Sequence, residues 1–291
     1  MVYAITGITG KVGAELARNL LAAGNSVRAV LRDANKAGPW VERGCSVAVA
    51  DMADAAALEA AFTGTEGVFA LLPPNFDPSP GFPELKAIVT ALRSALLAAR
   101  PSQVVCLSTV GAQATNESLL STLGIMEHTL AELPMPVTFL RAAWFMENCT
   151  WDVAAAKQTG VIQSFLQPLD KPFPMVAVRD IARVAAQLLR DTWSGSRVVE
   201  LEGPRRVSPN DIAGAFSALL GKTVRAEAVP RETWSALFSA QGMKNPTPRA
   251  RMLDGFNEGW IDFEAGVGGS LKGTTSLESV LEALIAQDVS H

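Results

Sequence analysis

The segment Thr6-Gly7-Ile8-Thr9-Gly10-Lys11-Val12-Gly13 constrains this chain more than any other. It follows a short apolar run, Val2 to Thr6, that reads as a strand. It opens a stretch from Lys11 to Gly24 in which Val12, Leu16, Leu20 and Leu21 recur at helical spacing. Strand, glycine loop and helix, in that order, make a βα unit. Glycine at 7 allows a tight turn out of the strand, at 10 a close approach to the backbone, and at 13 close packing of helix on sheet. The first amides of the helix lack carbonyl partners and carry the positive end of its dipole, so they suit a pyrophosphate. The backbone from Gly7 through Ile8, Thr9, Gly10, Lys11, Val12 and Gly13 is therefore expected to hold a dinucleotide.

The rest of the chain repeats the same alternation. Ser26 to Leu31, Cys45 to Ala50, Gly67 to Leu72, Gln103 to Ser108 and Pro136 to Arg141 read as further strands. Helices are predicted at Asp54 to Phe62, Glu84 to Ala99 and Glu117 to Leu133. Strands with almost no internal charge, separated by helices, require a parallel sheet buried on both faces. The predicted fold is α/β, a Rossmann doubly wound parallel sheet with a smaller α/β C-terminal substrate lobe. Beyond Arg141 the pattern weakens. Trp144 to Lys157, Val178 to Arg190, a segment starting at Ser208-Pro209 and ending near Gly221, Glu232 to Ala240 and Leu277 to Ala286 read as helices, and Arg197 to Glu202 as a strand. The dinucleotide domain is expected over 1–155, with 178–203 returning to it. The smaller lobe is expected over 156–177 and 204–291.

The end of the second strand tests which dinucleotide binds. An acidic residue there would accept bonds from the ribose of NAD; here Arg32 stands first, followed by Asp33 and Lys36. A guanidinium can hold a 2′-phosphate in bidentate fashion, which favours NADP (NADPH) over NAD. The other reading leaves Arg32 solvated and gives the ribose to Asp33. Asp51 and Met52 at the third strand, Leu71, Leu72 and Pro73 at the fourth, Ser108 and Thr109 at the fifth, and Ala143, Phe145 and Asn148 after the sixth are expected around the same cofactor.

Composition narrows the remaining classes. Lys+Arg 25 against Asp+Glu 29 leaves a net charge of −4, and no basic run suggests nucleic acid. Glycine, proline or charge interrupts every apolar stretch before about 18 residues, the minimum for a spanning helix. The opening MVYAITGITG has no basic stretch ahead of its apolar run, so no signal peptide is expected. Cys45, Cys106 and Cys149 are widely spaced and form no CxxC pair, and the histidines are His128 and His291 alone, so no metal site is expected. The first two cysteines lie beside strand-like runs and read as buried thiols, which fits a reducing cytoplasm. The expected partner is a small molecule, bound by a monomer or a homodimer.

These residues resemble the atypical short-chain dehydrogenase/reductase superfamily in its NmrA-like branch. The likeness rests on the TGxTGxxG loop, Val27-Arg28-Ala29-Val30-Leu31-Arg32-Asp33, Ala50-Asp51-Met52, Leu107-Ser108-Thr109, Phe139-Leu140-Arg141 and Phe145-Met146-Glu147-Asn148. Asp180-Ile181-Ala182 and Leu201-Glu202-Gly203-Pro204 add to it. Within the branch, the chain is similar to quinone and triphenylmethane reductases and to NADPH-sensing regulators. The resemblance implies an NADPH-dependent oxidoreductase or, alternatively, a non-catalytic sensor of the NADP(H) ratio.

One departure from the wider superfamily bears on chemistry. Its dehydrogenases use a Tyr and a Lys four residues apart on the helix after the fifth strand. The single tyrosine here is Tyr3, and no lysine lies between Lys86 and Lys157. If Glu127 matches an acidic residue common in that helix, Leu119 and Leu123 take the Tyr and Lys places, within an apolar stripe at 119, 123, 126, 130 and 133. Ketone reduction needs a proton for the developing alkoxide. A quinone, enone or aromatic dye spreads the arriving charge itself, so catalysis reduces to orientation in an apolar pocket. Candidate walls are Phe76 and Phe82 in the proline-rich loop 73–82, which reads equally as a lid or a rigid connector, and Trp144, Phe145 and Met146. Ser108 and Asn148 are the polar candidates near the reacting ring. His128 lies off the apolar stripe and reads as a surface residue.

Overall fold

The computed structural model describes residues 1–266 and 268–288; His291 lies outside them. The first half contains β1 (Val2–Ile5), α1 (Lys11–Ala22), β2 (Ser26–Leu31), α2 (Gly38–Val41), β3 (Ser46–Val49), α3 (Ala55–Phe62), β4 (Gly67–Ala70), α4 (Pro83–Ala99), β5 (Gln103–Thr109), α5 (Leu123–Leu130) and β6 (Val137–Ala142). It continues with β7 (Trp144–Phe145), α6 (Val153–Gln158), β8 (Val161–Ser164), β9 (Met175–Val176), α7 (Val178–Leu188), β10 (Ser196–Glu202) and α8 (Pro209–Leu220). The last elements are β11 (Arg225–Ala228), α9 (Trp234–Ala240), α10 (Thr247–Glu258), β12 (Leu271–Lys272) and α11 (Leu277–Asp288).

Eight strands form one sheet in the order β12-β10-β6-β5-β4-β1-β2-β3, and every pairing in it is parallel. The order reverses after β1, as in a doubly wound fold, and the crevice beyond the strands' carboxyl ends is where such a fold takes ligands. Alternation along β1 shows why the sheet needs cover on both faces. Tyr3 and Ile5 join Leu16, Leu20, Ile181 and Ala185 of α1 and α7 on one face. Ala4 joins Leu58, Phe62, Leu92, Leu96, Met126 and Leu130 of α3, α4 and α5 on the other. Each fully buried large side chain contributes about 1.5–3 kcal/mol. Helix starts are set locally: the Asp54 carboxylate accepts the amides of Ala56 and Ala57 at 3.1 and 3.0 Å, and Ser208 and Asp211 form a reciprocal capping box at α8.

Several predicted boundaries are corrected. The helix expected from Glu117 starts only at Leu123, because Ser118 and Ser121 bond each other's amides in a tight turn that competes with helix. The expected helix from Trp144 to Lys157 is three pieces, namely β7 beside β9, a 3₁₀ turn over Met146–Trp151, and α6. That 3₁₀ turn and α6 belong with the C-terminal elements: Met146, Cys149, Val153 and Ala156 pack with Phe216, Leu277 and Leu281. Conversely, β12 adds to the main sheet beside β10. Trp234, Phe238 and Phe256 of the C-terminal elements join the same core cluster as Ile5 and Leu16. The sequence reading did not anticipate α10, whose prolines at 246 and 248 and glycines at 255 and 259 resemble coil.

One carboxylate is held against its preference. Asp152 precedes α6, makes no capping bond, and is pushed by burial from its ordinary 3.8 up to about 7. The folded state therefore binds this proton more tightly than the unfolded chain. The resulting stability is complete below about pH 4 and is lost as pH rises to about 7. Asp152→Asn should accordingly raise stability by about 1–3 kcal/mol at pH 8 and by almost nothing at pH 4. Urea unfolding at the two pH values checks this; a gain of equal size at both would contradict it.

Candidate functional site

The glycine loop turns as its residues require. Gly7 has φ +64°, and Gly10 ends the loop with its amide donating to the Gly7 carbonyl at 2.9 Å. A Cβ on Gly13 would collide with the Gly7 carbonyl oxygen and lie 2.8 Å from the Gly7 carbonyl carbon and from Ile8 Cα. A Cβ on Gly10 would meet only the Gly7 oxygen, at 3.3 Å. No side chain caps α1 at Gly10, so its first amides are free for a ligand. Ile8 and Val12 turn their side chains into the core, leaving their backbone to the loop, while Thr9, Gly10 and Lys11 are exposed. The Thr6 hydroxyl accepts the Leu71 amide at 2.7 Å and donates to its carbonyl at 3.1 Å, so the loop is tied to the end of β4. Leu71 and Leu72 are half-buried there and Pro73 is exposed.

Arg32 and Lys36 are exposed beyond the end of β2, and their side chains have no hydrogen bond or ion pair among the described residues. Asp33 is engaged locally, its carboxylate accepting the Asn35 amide at 3.0 Å. Asp51 does the same for the Ala53 amide at 2.9 Å, with Met52 half-buried next to it. Uncapped amides, a backbone cradle that a Cβ would fill and two unpaired cations fit a dinucleotide that carries an extra phosphate.

The loop after β6 lies beside the glycine loop. The Glu147 carboxylate accepts the Val178 amide at 2.9 and 3.0 Å and so caps α7. Burial pushes this carboxyl up, against the pull of the Val178 amide and the nearby Lys11 ammonium. Ala143 is buried at the strand end, Phe145 and Asn148 are half-buried, and the Asn148 amide has no partner among the described residues. Trp144 meets Phe256 of α10 edge to face at 5.3 Å.

Three of the predicted site residues are differently placed. Ser108 is buried and donates its hydroxyl to Glu127, so it offers no free proton to the cleft; Thr109 beside it is half-buried. Met146 is 1% exposed inside the C-terminal cluster and is not free to form a pocket wall. Phe82 is buried at the start of α4, whereas Phe76 is 54% exposed. Loop 73–82 is also tied down: the Asp77 carboxylate accepts the amides of Lys244 and Asn245 at 3.0 and 2.7 Å, and Asn245 Nδ2 donates to Pro78 O at 2.9 Å. Of the two readings for that loop, this geometry is the connector. Tyr3 is fully buried in β1 with its phenol 3.4 Å from the Met1 sulfur, so it cannot act in the cleft. His128 is exposed on α5.

Sequence reasoning missed one group altogether. Arg141, at the end of β6, donates to both oxygens of Glu127, from Nε at 2.9 Å and from Nη2 at 2.6 Å. Its Nη1 faces Glu200 at 3.5 Å and also pairs with Glu264. Burial disfavours its charge, but the hydrogen bonds and charges of Glu127 and Glu264 outweigh that and hold it cationic. Glu200 in turn accepts the amides of Glu264 and Ala265 at 2.9 and 3.2 Å. The sequence signal was charge within strands, Arg141 in the otherwise apolar end of β6 and Glu200 in β10.

Comparison with known proteins agrees with this architecture. The model of the NmrA-like family matches residues 2–265. An NAD(P)H azoreductase from Xenophilus azovorans is 28% identical over 269 residues, covering 90% of this chain and 89% of that one. A (4-alkanoyl-5-oxo-2,5-dihydrofuran-3-yl)methyl phosphate reductase from Streptomyces griseus is 30% identical over 227 residues, or 77% and 75% of the two chains. Among solved structures, the triphenylmethane reductase of Citrobacter sp. complexed with NADP(H) shares the fold. Its TM-score is 0.80 at 18% identity, with 98% of this chain and 100% of that one covered.

Proposed function

The chain belongs to the NmrA-like family, and on that premise we propose that it is an NADPH-dependent oxidoreductase acting on a conjugated acceptor. The observation that carries this reading is a cradle of free amides flanked by unpaired cations, with no phenol available to the cleft. The loop amides hold the pyrophosphate, and Arg32 and Lys36 receive the 2′-phosphate. Bound there, NADPH supplies a hydride from its nicotinamide ring. Trp144 and Phe145 exclude water from the acceptor, and the unpaired Asn148 amide orients the ring or its partner. An acceptor that delocalises incoming charge needs no strong acid from the protein. The relatives' names point the same way: one acts on azo compounds, and the other on a ring alkene conjugated to carbonyl groups.

The test is NADPH oxidation with menadione, a triphenylmethane dye and an azo dye. Turnover of at least one is expected, with NADPH preferred to NADH. Arg32→Glu should raise the KM for NADPH about 10–100-fold, the worth of a lost bidentate phosphate contact, while leaving that for NADH nearly unchanged. Equal effects on both cofactors would remove the phosphate-clamp role. Tight NADPH binding without turnover of any acceptor would instead favour a sensor.

A further inference from the structure

The helix α10 bridges the ends of three strands. Just before it, the amides of Lys244 and Asn245 hold the Asp77 carboxylate in the loop that follows β4. In its first turn, Pro248 O accepts the Leu119 amide, in the segment that follows β5, at 3.2 Å. Two turns on, Phe256 meets Trp144 in β7, directly after β6. The helix therefore roofs the carboxyl edge of the sheet, where the fold places its ligands.

Arg249 sits in that first turn, on the same helical stripe as Met252, Leu253 and Phe256. Its guanidinium carbon lies 4.4 Å from the centre of the Phe238 ring, and Nη1 has a single long contact, 3.9 Å, to the Met243 sulfur. Among the described residues, no carboxylate lies within ion-pair distance of it. By contrast, Arg231 pairs with Asp254 of α10, and Arg206 pairs with Glu202 and Asp262. Burial lowers the Arg249 pKa and no acid opposes it. The contact with Phe238 satisfies none of the guanidinium's N–H donors, and apart from the long Nη1–sulfur contact they have no partner among the described residues. A half-buried cation with free in-plane donors has paid for its desolvation and lacks its counter-ion.

We propose that Arg249 is a specificity residue of this cleft, its guanidinium receiving an anionic substituent (sulfonate, carboxylate or phosphate) on the conjugated acceptor. The proposal rests on the reductase reading and sharpens it: the preferred substrate is an aromatic or quinonoid anion whose charged group lies against α10, away from the reacting ring. Met243, half-buried beside the guanidinium, offers the aromatic body an apolar contact, and the guanidinium fork takes the oxyanion.

Two measurements on the full chain test it. Calorimetry compares 2-naphthol-6-sulfonate with 2-naphthol, and NADPH oxidation compares 1,4-naphthoquinone-2-sulfonate with 1,4-naphthoquinone. The wild-type protein should favour the sulfonated member of each pair by about 10-fold or more, the worth of one charge-assisted contact. Arg249→Met should erase that preference in both, and Arg249→Lys should restore part of it. A wild-type protein indifferent to the sulfonate would overturn the proposal. So would an Arg249→Met variant in which both members of each pair weaken by the same factor, the mark of a merely structural role. A retained, Arg249-dependent preference in calorimetry with neither quinone reduced would instead sink the reductase reading and leave the anion site standing.

Discussion

Gly13→Ala should abolish nucleotide binding and destabilise the fold together. The added methyl has no space: it would collide with the Gly7 carbonyl oxygen and crowd backbone atoms of Gly7 and Ile8 at 2.8 Å. Backbone cannot rotate aside as a flexible side chain can, so α1 must move away from β1. Overpacking of this kind costs about 1–3 kcal/mol. The same displacement turns the loop amides away from the pyrophosphate. Losing two hydrogen bonds to a charged group, at roughly 1.5–3 kcal/mol each, weakens binding by about 100-fold or more.

Gly10→Ala provides the contrast. Its methyl meets only one atom at 3.3 Å and otherwise faces the space assigned to the ligand. Stability should stay within about 0.5–1 kcal/mol of the parent, while NADPH affinity falls as steeply as in Gly13→Ala. Thermal unfolding and calorimetric titration of the two variants separate the roles. Normal NADPH binding by Gly10→Ala would show that the loop does not cradle a dinucleotide.

How far the sequence revealed this arrangement depended on the kind of force involved. The strands were legible because a sheet covered on both faces keeps charge out of β1, β3, β4 and β5 and nearly out of β2 and β6, and β2 was read to the residue. The glycine loop was legible because each glycine answers a backbone constraint that sequence spacing displays. Pairings between distant side chains left no such trace. Nothing near Ser108 signals that its hydroxyl is committed to Glu127, nineteen residues on. The apolar stripe holds from 123 to 133, but two serine hydroxyls keep the first turns out of helix and Leu119 packs in the core cluster of the other sheet face. Helix α10 was missed because its prolines and glycines mask its period, although it carries Phe256 and Arg249 to the roof of the cleft.

Arg141→Met should be the most destabilising single change outside the hydrophobic clusters. The guanidinium is almost wholly buried between Glu127 and Glu200, which are themselves buried, and it also holds the more exposed Glu264. Methionine fills the space but leaves two buried carboxylates facing each other without a cation. Removing one partner from a buried pair costs about 3–5 kcal/mol, chiefly because the remaining charge is uncompensated. The damage should also reach the site. Arg141 ends β6, Ser108 nears the end of β5, and Glu200 in β10 holds the amides of 264 and 265, so one network fixes the carboxyl ends of three adjacent strands. Asn148 and Phe145 follow directly from β6 and should lose their orientation, raising the KM for the acceptor more than that for NADPH. A partial rescue distinguishes this account from simple loss of packing. Adding Glu127→Gln to Arg141→Met removes one stranded charge and should recover about 1–2 kcal/mol in urea unfolding. If the double variant were less stable than the single one by the full cost of Glu127→Gln alone, the network would not be coupled through charge.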